Sequence, residues 1–252
     1  MERARETEGS GVKAVHHSRQ YRSTAHRSMK FPGTERGVTL ATAMLVFLAL
    51  LFPGCLQAVS ITQYVREFED SYRNVRTLQA DFTQTYFAWG RTRKESGTVY
   101  LARGGRMHWA YTQPETKLFL SNGKQLFLYV PAEKQLTISS MHDIEDARVP
   151  IELLVSHLQL SRAFSRVEFA DQALNAKPGD RVIRGYPRAR YKRDYRSVVI
   201  ELSPTFDIRR LIVFYPDNST MQFAFSHVER SKPLSPSLFS FTPPPGTEVI
   251  HQ

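Results

Sequence analysis

From Leu78 onward the apolar residues of this chain fall at every second position, and turn-forming residues interrupt the pattern at short intervals. A period of two sends successive side chains to opposite faces of an extended backbone, so each run reads as a strand with one buried face. The first runs cover residues 78–89, 97–103, 107–112, 117–121, 125–130 and 135–139. Between them stand Arg103-Gly104-Gly105, Gln113-Pro114 and Asn122-Gly123, the last of which favours a tight hairpin. The pattern predicts an antiparallel meander. Further strands are predicted over residues 181–192, 196–202, 208–215 and 220–227.

Two stretches follow a helical period instead. Ile61, Tyr64, Val65, Phe68 and Tyr72 lie three and four apart, which predicts a helix of about four turns over residues 61–75. After the first strands, Pro150 stands at a first-turn position before Ile151, Leu154, Val155 and Leu158, spaced i, i+3, i+4 and i+7. A short amphipathic helix is expected there. Ten or so strands with two or three helices form a sheet too wide and too twisted to stay flat while burying its apolar face. The expected architecture is mainly β, an incomplete antiparallel barrel with helices across its open side.

The N-terminal quarter does not share this patterning. Residues 38–52 are fifteen without a charge, preceded by Lys30 and Arg36 and followed by Pro53 and Gly54. The run is shorter than the roughly twenty residues a spanning helix needs and ends in helix breakers, so it reads as an export signal. Residues 29–58 are therefore assigned to a signal peptide, residues 1–28 to an upstream extension that starts before the true first methionine, Met29, and residues 59–252 to one folded domain. Leu56-Gln57-Ala58 offers ordinary cleavage, whereas Phe52-Pro53-Gly54-Cys55 faintly resembles a lipidation signal, and both schemes remain open. Cys55 is the single cysteine, so no intrachain disulfide forms.

Residues 59–252 carry 26 Lys and Arg against 20 acids, and this excess sits in one segment. Arg181, Arg184, Arg188, Arg190, Lys192, Arg193 and Arg196 stand there with Asp194 as the only acid. Clustered cations suit phosphate contacts, or equally a solvated strand pair or a docking patch for an acidic partner. With no zinc-type spacing, RNA-binding signature or helix-turn-helix pattern, nucleic acid is not expected.

No arrangement for catalysis stands out, neither a G-x-S-x-G elbow, an H-E-x-x-H pair nor a phosphate-cradling glycine loop. His108, His142, His157, His227 and His251 are scattered, and Asp143, Glu145 and Asp146 read as a solvated loop. Neither an enzyme nor a metal or other cofactor is expected. The strands are instead rich in large apolar side chains, among them Trp109, Phe119, Phe127, Phe223 and Phe225. A curled sheet lined this way encloses either a packed core or a ligand. Arg103 ends the run Thr98-Val99-Tyr100-Leu101-Ala102-Arg103 on the same alternate face as Val99 and Leu101. If that face is inward, its guanidinium needs acceptors, which exposed carbonyls at the end of a lid helix would supply; otherwise it reaches water at the strand end.

Over roughly residues 61–249 the chain resembles the outer-membrane lipoprotein carrier proteins, the LolA family. The resemblance lies in Leu78-Gln79-Ala80-Asp81-Phe82-Thr83-Gln84, in residues 97–103 followed by Met107-His108-Trp109, and in Gln113-Pro114. Ser121-Asn122-Gly123-Lys124, Tyr129-Val130-Pro131 with Gln135, and the closing Phe239-Ser240-Phe241-Thr242-Pro243-Pro244-Pro245-Gly246 continue it in order. It implies a half-barrel over an apolar cavity that takes lipid, with Arg103, Met107, Trp109, Phe119 and Phe127 lining it. Arg103 falls at the position of the family's functional arginine, which bonds the lid backbone when closed. Trp109 falls on the cavity tryptophan, and Met107 replaces an aromatic. Pro150, Ile151, Leu154 and Leu158 fall in the lid. The implied function is a periplasmic chaperone, a monomer that takes acylated lipoproteins from an inner-membrane lipoprotein-releasing ABC transporter to an outer-membrane lipoprotein acceptor. The competing readings are a lipid-anchored acceptor of the same fold and an envelope-stress sensor that binds lipidated ligands.

Overall fold

The computed structural model describes residues 59–140, 159–189 and 192–252, and residues 58–252 make one compact unit. The chain enters through helix α1 (Ile61–Tyr72). Ser60 caps it, its hydroxyl accepting from the Gln63 amide at 3.2 Å. Tyr64, Phe68 and Tyr72, four apart, form the buried stripe. The helix stops at Tyr72 rather than Val75. The Arg73 and Val75 amides bond back to Asp70 and Tyr72, and the chain then turns directly into a strand.

Six strands follow as the alternation predicts: β1 (Thr77–Ala88), β2 (Arg91–Ala102), β3 (Arg106–Gln113), β4 (Lys117–Asn122), β5 (Gln125–Val130) and β6 (Gln135–Ser140). Each pairs antiparallel with the next. After α2 (Leu160–Ala163), β7 (Phe164–Phe169) starts at the other edge of the same sheet. The strands β8 (Arg181–Pro187), β9 (Ser197–Leu202), β10 (Ile208–Phe214) and β11 (Thr220–Arg230) step back until β11 lies against β1. Finally β12 (Glu248–His251) adds to β6 in parallel. The twelve strands run in the order β12-β6-β5-β4-β3-β2-β1-β11-β10-β9-β8-β7. Because β12 and β7 end the order and do not pair, the sheet is open, as an incomplete barrel must be.

Several strands depart from the expectation. β2 begins six residues early because β1 pairs with it down to Ala88 opposite Arg91, leaving Trp89-Gly90 as the turn. The strand expected to reach Lys192 stops at Pro187, which lacks an amide to donate. β7 and β12 carried no usable alternation. The helix expected at Pro150, with Ile151, Leu154 and Leu158, lies outside the described residues.

The sheet is covered on both faces. On the concave face, the stripe of α1 joins the inner side chains of the sheet in the main core, packing on Phe169 of β7 and on Phe206, with Tyr72 beside Leu78, Ala80, Ile208, Phe225 and Val228. On the convex face the tail between β11 and β12 crosses β3 and β4. There Phe239 is buried, the Arg106 guanidinium lies 5.3 Å from its ring, and Phe241 packs on Tyr129 at 5.0 Å. His108 Nδ1 lies 2.6 Å from the Leu238 carbonyl oxygen. The closing motif is thus a strap that keeps Leu120 and Leu136 from water.

Candidate binding face

The pairing registers decide which side chains share the concave face. Leu78, Ala80 and Phe82 of β1 stand opposite Leu101, Val99 and Gly97 of β2, and these stand opposite Met107, Trp109 and Tyr111 of β3. Trp109 in turn faces Phe119, and Phe119 faces Leu128. Gly97 is needed at its place, because a Cβ there would lie 1.9 Å from the Ala110 carbonyl oxygen. The rings of Phe82 and Tyr111 meet edge to face beside it at 5.0 Å.

Met107, Trp109 and Phe119 therefore lie where the sequence places them, buried on one face. Phe127 does not. It stands opposite Leu120 and Ile138, on the convex side under the tail, and Leu126 and Leu128 take the inward positions of β5. The reason is parity. A two-residue turn at Gly123-Lys124 pairs Asn122 with Gln125 by extension of the register, so odd positions of β4 face even positions of β5.

Trp109 occupies the centre of the face at 1 % exposure, with Phe82 edge-on at 4.8 Å and Phe223 at 5.4 Å. Its indole N–H is buried and has no hydrogen-bond acceptor among the described residues. An unpaired buried donor costs about 1–3 kcal/mol, so this position is less stable than apolar packing alone would make it. Near the α1 end a hollow of about 10 Å³ remains among Tyr72, Leu78, Ala80, Ile208, Phe225 and Val228. That is room for about one water. His227, at φ +50°, makes the bulge that lets both Phe225 and Val228 turn inward.

Arg103 is partly buried. Its Nε donates to the Val75 carbonyl at 3.1 Å, and a terminal nitrogen donates to the Arg73 carbonyl. These acceptors belong to the exit of α1. They lie three and one residues past Tyr72, beside the negative end of the helix dipole, which suits a cation. The end of the expected lid helix lies outside the described residues, and the acceptors seen here follow the N-terminal helix. A second arginine acts beside it: Arg230 lies 4.6 Å from the Tyr72 ring centre, donates to Thr205 O at 2.8 Å and pairs with Asp207. Burial pushes the Tyr72 phenol up to about 12, so it stays neutral under the helix.

The start of α1 is held by rings. Tyr64 packs on Phe169 at 5.4 Å and Phe206 at 5.3 Å, and Arg181 lies 4.2 Å over Phe169. Glu69 accepts the Leu160 amide at 2.7 Å, joining α1 to α2. The basic segment thus divides. Arg181 pairs with Asp171 at 3.0 Å and Arg184 lies 5.6 Å from the Phe214 ring, whereas Arg188, Lys192, Arg193 and Arg196 are exposed.

At the far end of the concave face the apolar lining gives way to polar groups. Tyr111 donates to Gln84 at 2.7 Å, and Glu95 receives Lys117 and Arg93 at 2.6 Å each. Burial would raise the Glu95 carboxyl, but the bonds from Lys117 and Arg93 outweigh it and hold the group below its ordinary range. Neither this cluster nor the pin by Arg230 was legible in sequence, since each joins residues far apart in the chain with no local spacing.

The described residues thus form an open antiparallel sheet with an aromatic concave face that carries a helix on one side. The family model described as "Outer membrane lipoprotein carrier protein LolA" matches residues 73–242, and the chain belongs to that family. Among curated relatives, an outer-membrane lipoprotein carrier protein of Nitrosomonas europaea is 26 % identical over 206 residues, covering 80 % of this chain and 96 % of its own. One of Methylococcus capsulatus is 30 % identical over 212 residues, covering 82 % and 96 %. Among solved structures, a LolA superfamily protein from Nitrosomonas europaea aligns over 73 % of this chain and 99 % of its own, with a TM-score of 0.39 and 10 % identity.

Proposed function

We propose that this protein is a periplasmic carrier that shields the acyl chains of lipoproteins between the inner and outer membranes. Each methylene moved from water to apolar surroundings gains about 0.8 kcal/mol, so a lipoprotein with several long chains does not cross an aqueous space unaided. The concave face supplies the substitute for the membrane. Ligand sites of this kind measure about 300–1,000 Å³, so the hollow of about 10 Å³ beside Tyr72 is too small for an acyl chain. Acyl chains enter by displacing α1, whose Tyr72 lies against Leu78, Ala80, Ile208, Phe225 and Val228 of that face. The observation that carries this reading is the clasp of Arg103 on the Arg73 and Val75 carbonyls, a polar and reversible fastening at the edge of an apolar interface.

Entry of cargo breaks the clasp, and its re-formation drives the cargo out, so binding and release are two states of one element. Trp109 gives the open state a buried donor for an ester carbonyl. Residues 29–58 act as the export signal, and the lid assigned to Pro150, Ile151, Leu154 and Leu158 lies outside the described residues. An inner-membrane releasing transporter loads the carrier, and an outer-membrane acceptor empties it. The test is co-purification of acylated lipoproteins from envelope extracts, with the mass of the mature N-terminus measured on the same sample. Acylated proteins retained by the wild type support the reading. Their absence contradicts it, and a lipid on Cys55 assigns the protein to the anchored acceptors instead.

A further inference from the structure

The β1–β2 hairpin ends in a turn that folding alone does not account for. Trp89 and Gly90 both have positive φ, +48° and +74°, the form in which asparagine or glycine normally serves. A bulky side chain there is strained, and Trp89 gains no packing in return, being 85 % exposed. Phe87, two residues before it, is 44 % exposed. On the return strand Arg91, Arg93 and Lys94 are all exposed, beyond the point at which β3 stops pairing at Ser96. The hairpin therefore projects as an aromatic tip with a cationic flank.

The sheet brings a second group of cations to the same end. Phe87 stands opposite Thr220, Thr220 opposite Phe214, and Phe214 opposite Ser197. The loop between β8 and β9, with exposed Arg188, Lys192, Arg193 and Arg196, thus lies on the rim that carries Trp89. Arg196 bonds Asn218 of the intervening turn at 2.9 Å, making the rim continuous. Among the described residues the carboxylates nearby are fewer: Glu95 is buried under Lys117 and Arg93, Asp217 accepts from Ser219, and Glu115 and Asp194 complete them.

We propose that this rim docks on the surface of a bilayer containing anionic phospholipid, with Trp89 at headgroup level and the flanking cations over the phosphates. Tryptophan favours that depth because one edge of the indole is apolar and the other donates a hydrogen bond. Cations near an anionic leaflet add about fivefold each to partitioning. Docking of this kind brings the carrier to a membrane without using the concave face.

The test is flotation of the purified protein with vesicles of phosphatidylglycerol in phosphatidylcholine and with phosphatidylcholine alone. The chain has two tryptophans, so a change in emission that Trp89→Ala abolishes reports Trp89. Binding to the mixed vesicles, a blue shift, and loss of both at high salt are expected. Replacing Arg91, Lys94 and Arg193 together by serine lowers partitioning about a hundredfold. Trp89→Ala lowers it about tenfold, the effect of withdrawing about 60 Å² of apolar surface. All variants retain the wild-type circular dichroism spectrum and bind a soluble acylated peptide as the wild type does, which separates this rim from the cargo site. Absence of vesicle binding, or binding indifferent to the substitutions, overturns the proposal. Capture of an envelope protein through this rim without vesicle binding also overturns it, and assigns the rim to a protein partner.

Discussion

Replacing Arg103 by leucine should loosen α1 while leaving the sheet intact. The guanidinium makes two hydrogen bonds to backbone carbonyls of the helix exit, and it is partly buried beneath that exit. Hydrogen bonds involving a charged group contribute about 1.5–3 kcal/mol each when shielded. Partial exposure takes the pair to about 2–3 kcal/mol, a factor of about 30 to 150 in the equilibrium for opening the helix. Native-state hydrogen exchange reads this directly. The amides of Phe68, Glu69 and Tyr72 should exchange faster by that factor in Arg103→Leu, while those of Val99 and Val198 in the sheet change little. The same variant should take up an acylated peptide readily and hand it on poorly, because closure has lost its drive. Equal acceleration at all five amides would mean that Arg103 supports the fold as a whole. No acceleration in α1 would refute the clasp.

Gly97→Ala should fail to fold or lose more than about 3 kcal/mol in denaturant titration, because the added Cβ meets the Ala110 carbonyl, a backbone atom fixed by β3. Phe239→Ala, on the strap, should cost about 3 kcal/mol in thermal unfolding without changing acylated-peptide affinity, since it empties a buried site on the convex face. Glu95 and Glu201 both have lowered carboxyl pKa values. In each, burial would raise the value, and bonds from Lys117 and Arg93, or from Arg210, outweigh it. Their folded values lie below their unfolded ones, so the stability they add is present above about pH 4.5 and is lost as pH falls through the folded values. Acid titration of wild type and Glu95→Gln should show a shallower loss in the variant. An equal slope would deny Glu95 this role.

Much of the fold was written in local pattern. β1 and β3 to β6 follow from alternation and turn residues, and α1 from the spacing of Tyr64, Phe68 and Tyr72. What escaped depends on partners. Residues 91–96 of β2 are polar on both faces and form a strand only because β1 extends beside them. β7 is an edge strand with exposed Ser165 and Arg166, and β12 is four residues paired in parallel with an edge. At the site, the parity of its own run put Arg103 on the face of Val99 and Leu101, whereas Met107 and Trp109 were placed by the family resemblance and Phe119 by its aromatic character. Phe127 lies on the other face because a two-residue turn sets the parity of its hairpin, which aromatic character alone does not reveal. Arg230 and Asp207 were invisible, since they meet Tyr72 only through tertiary packing.

The central claim is that acyl chains enter by displacing α1 from the concave face. Spin labels at Arg66, on the exposed side of α1, and at Ser226, exposed on β11, report that displacement as a distance distribution. Addition of a triacylated lipopeptide should move the distribution to longer distances, and Arg103→Leu should broaden it even without ligand. A distribution that stays unchanged while the lipopeptide is bound would contradict the account.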